Sequence, residues 1–218
     1  EHIANDPKDS FRNGHYYVFD GQHTIAARKL RNGGKDLPIR CKVFYGLSEL
    51  DEAILFAQQT GTSAQLTAGA KLRALIYGRD PDALAFLRAT ESVGVRLDYN
   101  QDRGKFRIGC VGTAHAIYKK VGEDIYKEGM QHIVDAWEGA PDSLRFEILQ
   151  GVVFFVDLYH KEYNPRRLVQ QLRRFDPLTI YREGRAMGVN MAGHKKYMYQ
   201  VYRMYNGSSR KYALPLKF

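Results

Sequence analysis

The sequence predicts an α+β fold, with a small mixed β-sheet and its helices at the N-terminal end and a mainly α-helical C-terminal region after it. Three observations carry this. Asn13-Gly14 lies between aromatic, strand-forming residues, the pattern of a two-residue hairpin turn. The apolar run Tyr16-Tyr17-Val18-Phe19 gives way at Asp20-Gly21 to a helical pattern. From Thr67 onward the apolar spacing is helical with one interruption. The domain boundaries that follow are 1–78 for the α/β part and 79–218 for the helical part.

Taken in order, residues 1–10 are polar and read as a loop, with order beginning at Phe11 and the second hairpin strand ending at Asp20. Ile25, Ala26 and Leu30 mark a helix of about three turns, closed by Gly33-Gly34, where glycine accepts the left-handed conformation of a helix end. Leu37 to Tyr45 alternates and reads as a second long strand, completing a strand-helix-strand unit. Ser48-Glu49-Leu50-Asp51 is a capping box with Asp in place of Glu, starting a helix that runs to about Thr60, followed by a loop from Gly61 to Gln65. Helices follow over about 67–77, 81–93, 112–121, 123–138 and 142–161, with a hairpin expected from Val95–Tyr99 and Lys105–Ile108. Asn164-Pro165 and Asp176-Pro177 each place a capping side chain before a helix-starting proline, and a last helix covers about 192–206. No internal repeat is visible.

Composition narrows the function classes. At 218 residues and 44% hydrophobic, the chain can bury a real core. No run of about 18 apolar residues and no leader pattern is present, which predicts a cytoplasmic protein with no membrane partner. Cys41 and Cys110 are too few for a disulfide framework and read as ordinary buried thiols. The net charge of +9 is unevenly placed. Residues 1–160 carry 20 Lys and Arg against 21 Asp and Glu, net −1, while residues 161–218 carry 13 against 3, net +10. That asymmetry points to a polyanion-facing segment on a nearly neutral body.

The corner Asp20-Gly21-Gln22-His23-Thr24 holds the chemistry of the N-terminal part. The first amides of a helix lack partners within it, and the helix dipole makes that end partly positive. Gly21 lets an anion approach this backbone, and Gln22, His23 and Thr24 can donate hydrogen bonds, so the stretch suits a phosphate. Asp20 repels a bare phosphate and makes sense beside Mg²⁺ or as the helix cap. A plain turn with a capping Asp and a packed or surface histidine uses the same residues.

The stretch FDGQHTIAARKLRNGGKDLPIRCKVF resembles the core motif of the ParB/sulfiredoxin superfamily, in which a strand delivers an acidic-Gly-x-His-Arg corner into a helix and a further strand follows; it is also similar to the DGQHR-type branch. LSELDEAILFAQQTGTSAQLT sits where ParB-like domains carry a helix and a second ligand loop, so the resemblance covers about residues 11–78. It implies a small fold that binds nucleotide phosphates, CTP in chromosome-partition clamps and ATP in sulfiredoxins, with some members DNA-associated or nucleases. On this pattern Gly21, Gln22, His23 and Thr24, helped by Arg28 and by Thr60, Gly61, Thr62 and Ser63, bind ATP or CTP with Mg²⁺ held by Asp20, and any chemistry falls to Asp20 and His23. Three positions depart. Thr24 stands in place of the phosphate-pairing arginine, an interaction worth roughly 1.5–3 kcal/mol; Ser63 stands near another arginine position, and Gln22 replaces the sulfiredoxin cysteine. Arg28, one turn beyond Thr24, is placed to compensate.

Residues 161–218 suit nucleic acid independently of that resemblance. The helix after Pro165 has an apolar stripe of Leu168, Leu172 and Phe175, leaving Arg166, Arg167, Arg173 and Arg174 on the other side. Lys195, Lys196 and Arg203 alternate with tyrosines in the last helix. Cations displace counterions from phosphates, and two short capped helices resemble a helix-turn-helix corner. A solvated basic face over a tyrosine-rich core fits the same pattern, with Tyr197, Val201 and Tyr205 at core spacing. The other histidines, His132 and His160 among them, read as structural. The expected function is a ParB-like nucleotide- or phosphate-binding protein engaging DNA through its basic helical end; if active, it is a Mg²⁺-dependent nucleotide hydrolase, phosphotransferase or nuclease. The alternative is a non-enzymatic DNA-binding regulator of phage or mobile-element origin, and a homodimer is left open.

Overall fold

A computed structural model describes residues 6–58, 66–100, 102, 104–187, 191, 193–209 and 211–218. The chain divides into two compact units, Glu1–Leu84 and Ala85–Phe218. The first contains a mixed three-stranded sheet. Strand β1 (Lys8–Arg12) pairs antiparallel with β2 (His15–Asp20) through a two-residue turn in which Asn13 and Gly14 both have positive φ, 50° and 81°, the backbone that lets a hairpin keep the twist of its strands. Strand β3 (Lys42–Tyr45) pairs parallel with β1, giving the order β2-β1-β3. Order thus begins at Lys8 and not Phe11, and the strand expected over 37–45 shortens to its last four residues. Lys42 enters the sheet by donating to the Pro7 carbonyl at 2.8 Å. Pro38, which has no amide to give a ladder, lies in the irregular stretch before it.

Helix α1 (Gln22–Arg31) links β2 to β3 and buries none of its side chains. Helix α2 (Glu49–Ala57) starts on the expected capping box: the Ser48 hydroxyl accepts from the Asp51 amide at 3.2 Å, and the Ser48 amide donates to the Asp51 carboxylate at 2.9 Å. Helix α3 (Ala68–Tyr77), capped by Thr67, packs on α2, where Gly78 lies so close to Ile54 that a Cβ would come within 2.7 Å of it. One face of the sheet meets α2 through Arg12, whose guanidinium reaches Glu49 at 3.3 Å and Glu52 at 3.2 Å.

Helix α4 (Pro81–Ser92) carries the chain into the second unit. There the expected hairpin is corrected: β4 (Arg96–Leu97) and β5 (Arg107–Ile108) pair parallel, not antiparallel. The reversal happens before β5, where Phe106 has φ 57°, donates to Gly139 at 2.8 Å, and Arg107 bonds back to Gly104. Helices α5 (Val111–Val121), α6 (Glu123–Trp137) and α7 (Phe146–Leu158) follow. The single helix expected over 142–161 is split, because Arg145 at ψ 153° separates a 3₁₀ turn, Pro141–Leu144, from α7. Helices α8 (Pro165–Leu172), α9 (Leu178–Ala186) and α10 (Lys195–Asn206) complete the unit.

Helix α7 is its centre. Ile148, Leu149, Val152, Val153, Phe155 and Val156 are fully buried, the all-round apolarity of a helix covered on every side. It packs against α6, where a Cβ on Gly129 would meet Val153 Cγ2 at 2.9 Å, and against α10, where a Cβ on Gly151 would meet the Tyr197 carbonyl at 3.0 Å. Cys41 and Cys110 are free and only partly buried; burial still pushes the Cys110 thiol up to about 12. Among the described residues no helix is long and apolar enough to cross a membrane.

Candidate functional site

The strand-to-helix corner is built by Gly21. At φ 89° it is the cap residue of α1, and its carbonyl accepts the first helical bond from Ile25 at 3.0 Å. A Cβ at this position would lie 2.7 Å from Pro7 Cα, so the start of β1 presses against the corner and only glycine fits. No side chain caps α1, and its first turn contains no acid. Asp20 is therefore not the cap. It ends β2 paired with Lys8, Nζ to Oδ2 at 3.1 Å, which returns a cation to a corner whose sequence lacks the expected arginine. Gln22 donates back to the Val18 carbonyl at 3.3 Å, and His23 is exposed while Thr24 is half-buried. Arg28 is half-buried one turn after Thr24, on the same side of α1. Thr60, Gly61, Thr62 and Ser63 lie outside the described residues.

Magnesium beside a nucleotide keeps most of its waters and takes one or two protein carboxylates together with phosphate oxygens; Asp20 is one such carboxylate, and here it pairs with Lys8. Among the described residues no group of three or more His, Cys, Asp and Glu side chains is arranged to hold a metal ion.

The basic residues of the second unit divide between contacts with the protein and positions open to solvent. Asn164 caps α8 as expected, accepting from Arg167 N at 2.9 Å, and Leu168 and Leu172 are buried. Phe175 leaves the expected stripe: it is 38% exposed, and its carbonyl accepts from Trp137 Nε1 at 2.9 Å. Arg167 turns inward and donates at 3.0 Å to both the Tyr205 and Asn206 carbonyls. Arg173, itself exposed, donates to the Asp135 carbonyl near the end of α6 at 3.1 and 2.8 Å. These carbonyls belong to helix C-termini, where acceptors lack intrahelical partners and the dipole favours a cation. Arg203 pairs with Glu183 at 3.3 Å, and the Lys196 ammonium lies 5.1 Å from the Tyr197 ring centre. Arg166, Arg174 and Lys195 are exposed, as Arg173 and Arg203 are, and of these three only Arg174 has a side-chain partner among the described residues, Gln171 at 3.5 Å. Tyr197, Val201 and Tyr205 are buried, as their spacing predicts.

One cluster was not read from the sequence. The Tyr163 hydroxyl donates to Glu128 and lies 2.8 Å from His132 Nε2, while His160 Nδ1 stands 3.7 Å from Glu128. With the tyrosine O–H directed at Glu128, Nε2 of His132 is the donor to the tyrosine oxygen, and His132 Nδ1 is left buried without a partner. Burial pushes the His132 imidazole below its usual range despite the pull of Glu128, and raises the Tyr163 phenol, with Glu128 adding to it. The i, i+4 spacing of Glu128 and His132 was the available signal.

The family comparison spans both units: residues 1–218 match the family described as Family of unknown function (DUF6551). The chain belongs to that family. No curated protein and no solved structure matches it. DUF6551 membership covers the corner and the basic helices together and assigns a function to neither.

Proposed function

We propose that this DUF6551 member is a ParB-like protein that binds a nucleotide or nucleic-acid phosphate at the start of α1 and engages DNA through exposed cations of its second unit. The observation that carries the reading is the open helix start. A left-handed glycine braced by Pro7 precedes a ten-residue helix with no capping side chain and no acid in its first turn, the electrostatic arrangement that favours an anion. Lys8 beside Asp20, and Arg28 one turn along, supply the cations that Thr24 does not.

Within that reading, binding without turnover is favoured. Asp20 is paired with Lys8, and among the described residues no side-chain hydrogen bond or ion pair engages the exposed His23. The test is a thermal-shift panel with ATP, CTP, GTP and ADP, each with Mg²⁺, with and without duplex DNA. Ligand at about 100 times its Kd stabilises by about 2.7 kcal/mol, a rise of several degrees. Thr24→Arg, which restores the arginine of the resemblance, is expected to tighten nucleotide binding by about tenfold or more. Unchanged melting with every nucleotide, for both the natural chain and Thr24→Arg, refutes the phosphate reading.

A further inference from the structure

We propose that α1 is a DNA-reading helix whose outward side enters the major groove of a B-form duplex, with His23 and the exposed alanines toward the base edges and Lys29, Arg31 and Lys35 toward the flanking phosphates. The role belongs to the body of α1 and holds whether or not a nucleotide binds at its start.

The helix is held by its ends and left bare along its side. At the start, Gly21 is braced by Pro7. At the finish, the Asn32 amide bonds to the Arg28 carbonyl and the Gly34 amide reaches back to that of Lys29, both at 3.0 Å, with Gly33 at φ 68°, the closure of a helix ended by a left-handed glycine. The Asn32 side chain ties down the following loop by donating to the Lys35 carbonyl at 3.1 Å. Between those ends Thr24, Ile25 and Arg28 are half-buried and mark the side turned to the protein. At about 100° per residue, His23, Ala26, Ala27 and Leu30 occupy the opposite side, with Lys29 on one flank and Arg31 on the other, and all six are exposed. Ten residues with no buried side chain are fewer than a helix needs to persist alone in water. The two locked ends supply that order and present a face that nothing else in the first unit covers among the described residues.

The charge on this face fits a polyanion. Residues 21–35 hold Arg28, Lys29, Arg31 and Lys35 and no acid. Lys29 pairs with Asp36 at 2.7 Å, but that carboxylate is 91% exposed, and so open an ion pair yields readily to a phosphate. Among the described residues Arg31 and Lys35 have no side-chain partner. The shape selects duplex DNA. A helix with its side chains is about 10–12 Å across and the B-form major groove about 12 Å wide, whereas the major groove of A-form RNA is too narrow to be read. Alanines at the centre of the outward side let the backbone approach the base edges and offer methyl groups to thymine, His23 brings a hydrogen-bond donor, and the flanking cations meet the phosphates bordering the groove. A second copy of this chain does not fit, because an α1–α1 contact would set Lys29 and Arg31 against their own like with no acid in the helix to answer them. A protein or lipid surface calls for an apolar centre, and one leucine with two alanines is too little.

The test uses the full chain carrying Arg166→Gln, Arg174→Gln and Lys195→Gln, which removes these exposed cations of the second unit, and a fluorescently labelled mixed-sequence duplex of about two helical turns. Anisotropy is expected to show binding whose log-log salt slope falls by roughly 1.8 when Arg31→Gln and Lys35→Gln are added, about 0.9 for each lost phosphate contact. Ala26→Glu puts a good helix former at an exposed position, so circular dichroism and melting temperature should hold, while duplex affinity is expected to fall at least about tenfold. The bound chain is expected to protect guanine N7, a major-groove atom, from dimethyl sulfate and to leave adenine N3 of the minor groove reactive. Absence of binding, binding that none of these substitutions changes, or protection confined to adenine N3 overturns the proposal. Displacement of the duplex by poly-glutamate of equal charge, with guanine N7 unprotected, would assign α1 to an acidic protein and overturns it too. No nucleotide enters any arm, so failure here leaves the thermal-shift panel to decide the phosphate site separately.

Discussion

At Gly21 two constraints coincide, a positive φ and a Cβ position 2.7 Å from Pro7 Cα. Gly21→Ala is expected to destabilise the chain more in urea denaturation than Gly14→Ala, which has positive φ but open space around it and should cost only the left-handed backbone penalty of about 1–2 kcal/mol. Equal effects would mean that Pro7 does not brace the corner. His132 makes a prediction with a definite sign. Its folded pKa is depressed, chiefly by burial, so at acidic pH the unfolded chain binds the extra proton and stability falls as pH drops below about 6.5. His194 is lowered too, by burial and by Lys120 and Lys195, and acts in the same direction. Melting temperature should decline from pH 7.5 to pH 5, and His132→Gln should flatten that decline; an unchanged profile would place the titration elsewhere. The corner was legible residue by residue because glycine before a helix start is a local signal. The Tyr163–His132 pair was not, since 31 residues separate its members and only the folding of α6 against the α7–α8 connection brings them together.

Among the helices, the arginines of α8 separate into two kinds. Arg167 and Arg173 close the open ends of α10 and α6, and Arg166 faces outward. Replacing either of the first two by alanine is expected to cost about 1 kcal/mol, discounted from the full value of a charged hydrogen bond because both sites are partly open to water. Arg166→Ala should lie within about 0.5 kcal/mol of the parent. Chemical denaturation of the three variants checks this, and a loss at Arg166 equal to the others would undo the distinction. Helix starts were readable because their signals are short: Ser48 with Asp51, and Asn164 before Pro165, cap as the sequence indicates, whereas at Asp176-Pro177 the cap position falls on Pro177 itself. Pairing direction was not. The parallel join of β4 to β5 depends on Phe106 adopting φ 57° and donating to Gly139, a long-range contact that overrides the hairpin pattern around Asn100.

For the whole molecule, a net charge of +10 over residues 161–218 overstates what is free to meet a polyanion, because Arg167, Arg173, Arg203 and Lys217 are committed to carbonyls or carboxylates. If DNA binds this unit, replacing Arg166, Arg174 and Lys195 together should flatten the log-log salt dependence by roughly 0.9 per lost phosphate contact. A salt slope that does not change would move the DNA surface elsewhere. The passage between the two units has a practical consequence. Their boundary, between Leu84 and Ala85, falls inside α4, whose start is fixed by Asp80: its carboxylate accepts from Ala83 N at 2.9 Å and its carbonyl from Leu84 N at 3.0 Å. Severing the chain at the boundary would strip α4 of its first turn and cap and loosen the seating of Phe86 among Tyr118 and Tyr126. Whoever expresses the helical unit alone should begin it ahead of Asp80, so that α4 keeps its cap and first turn.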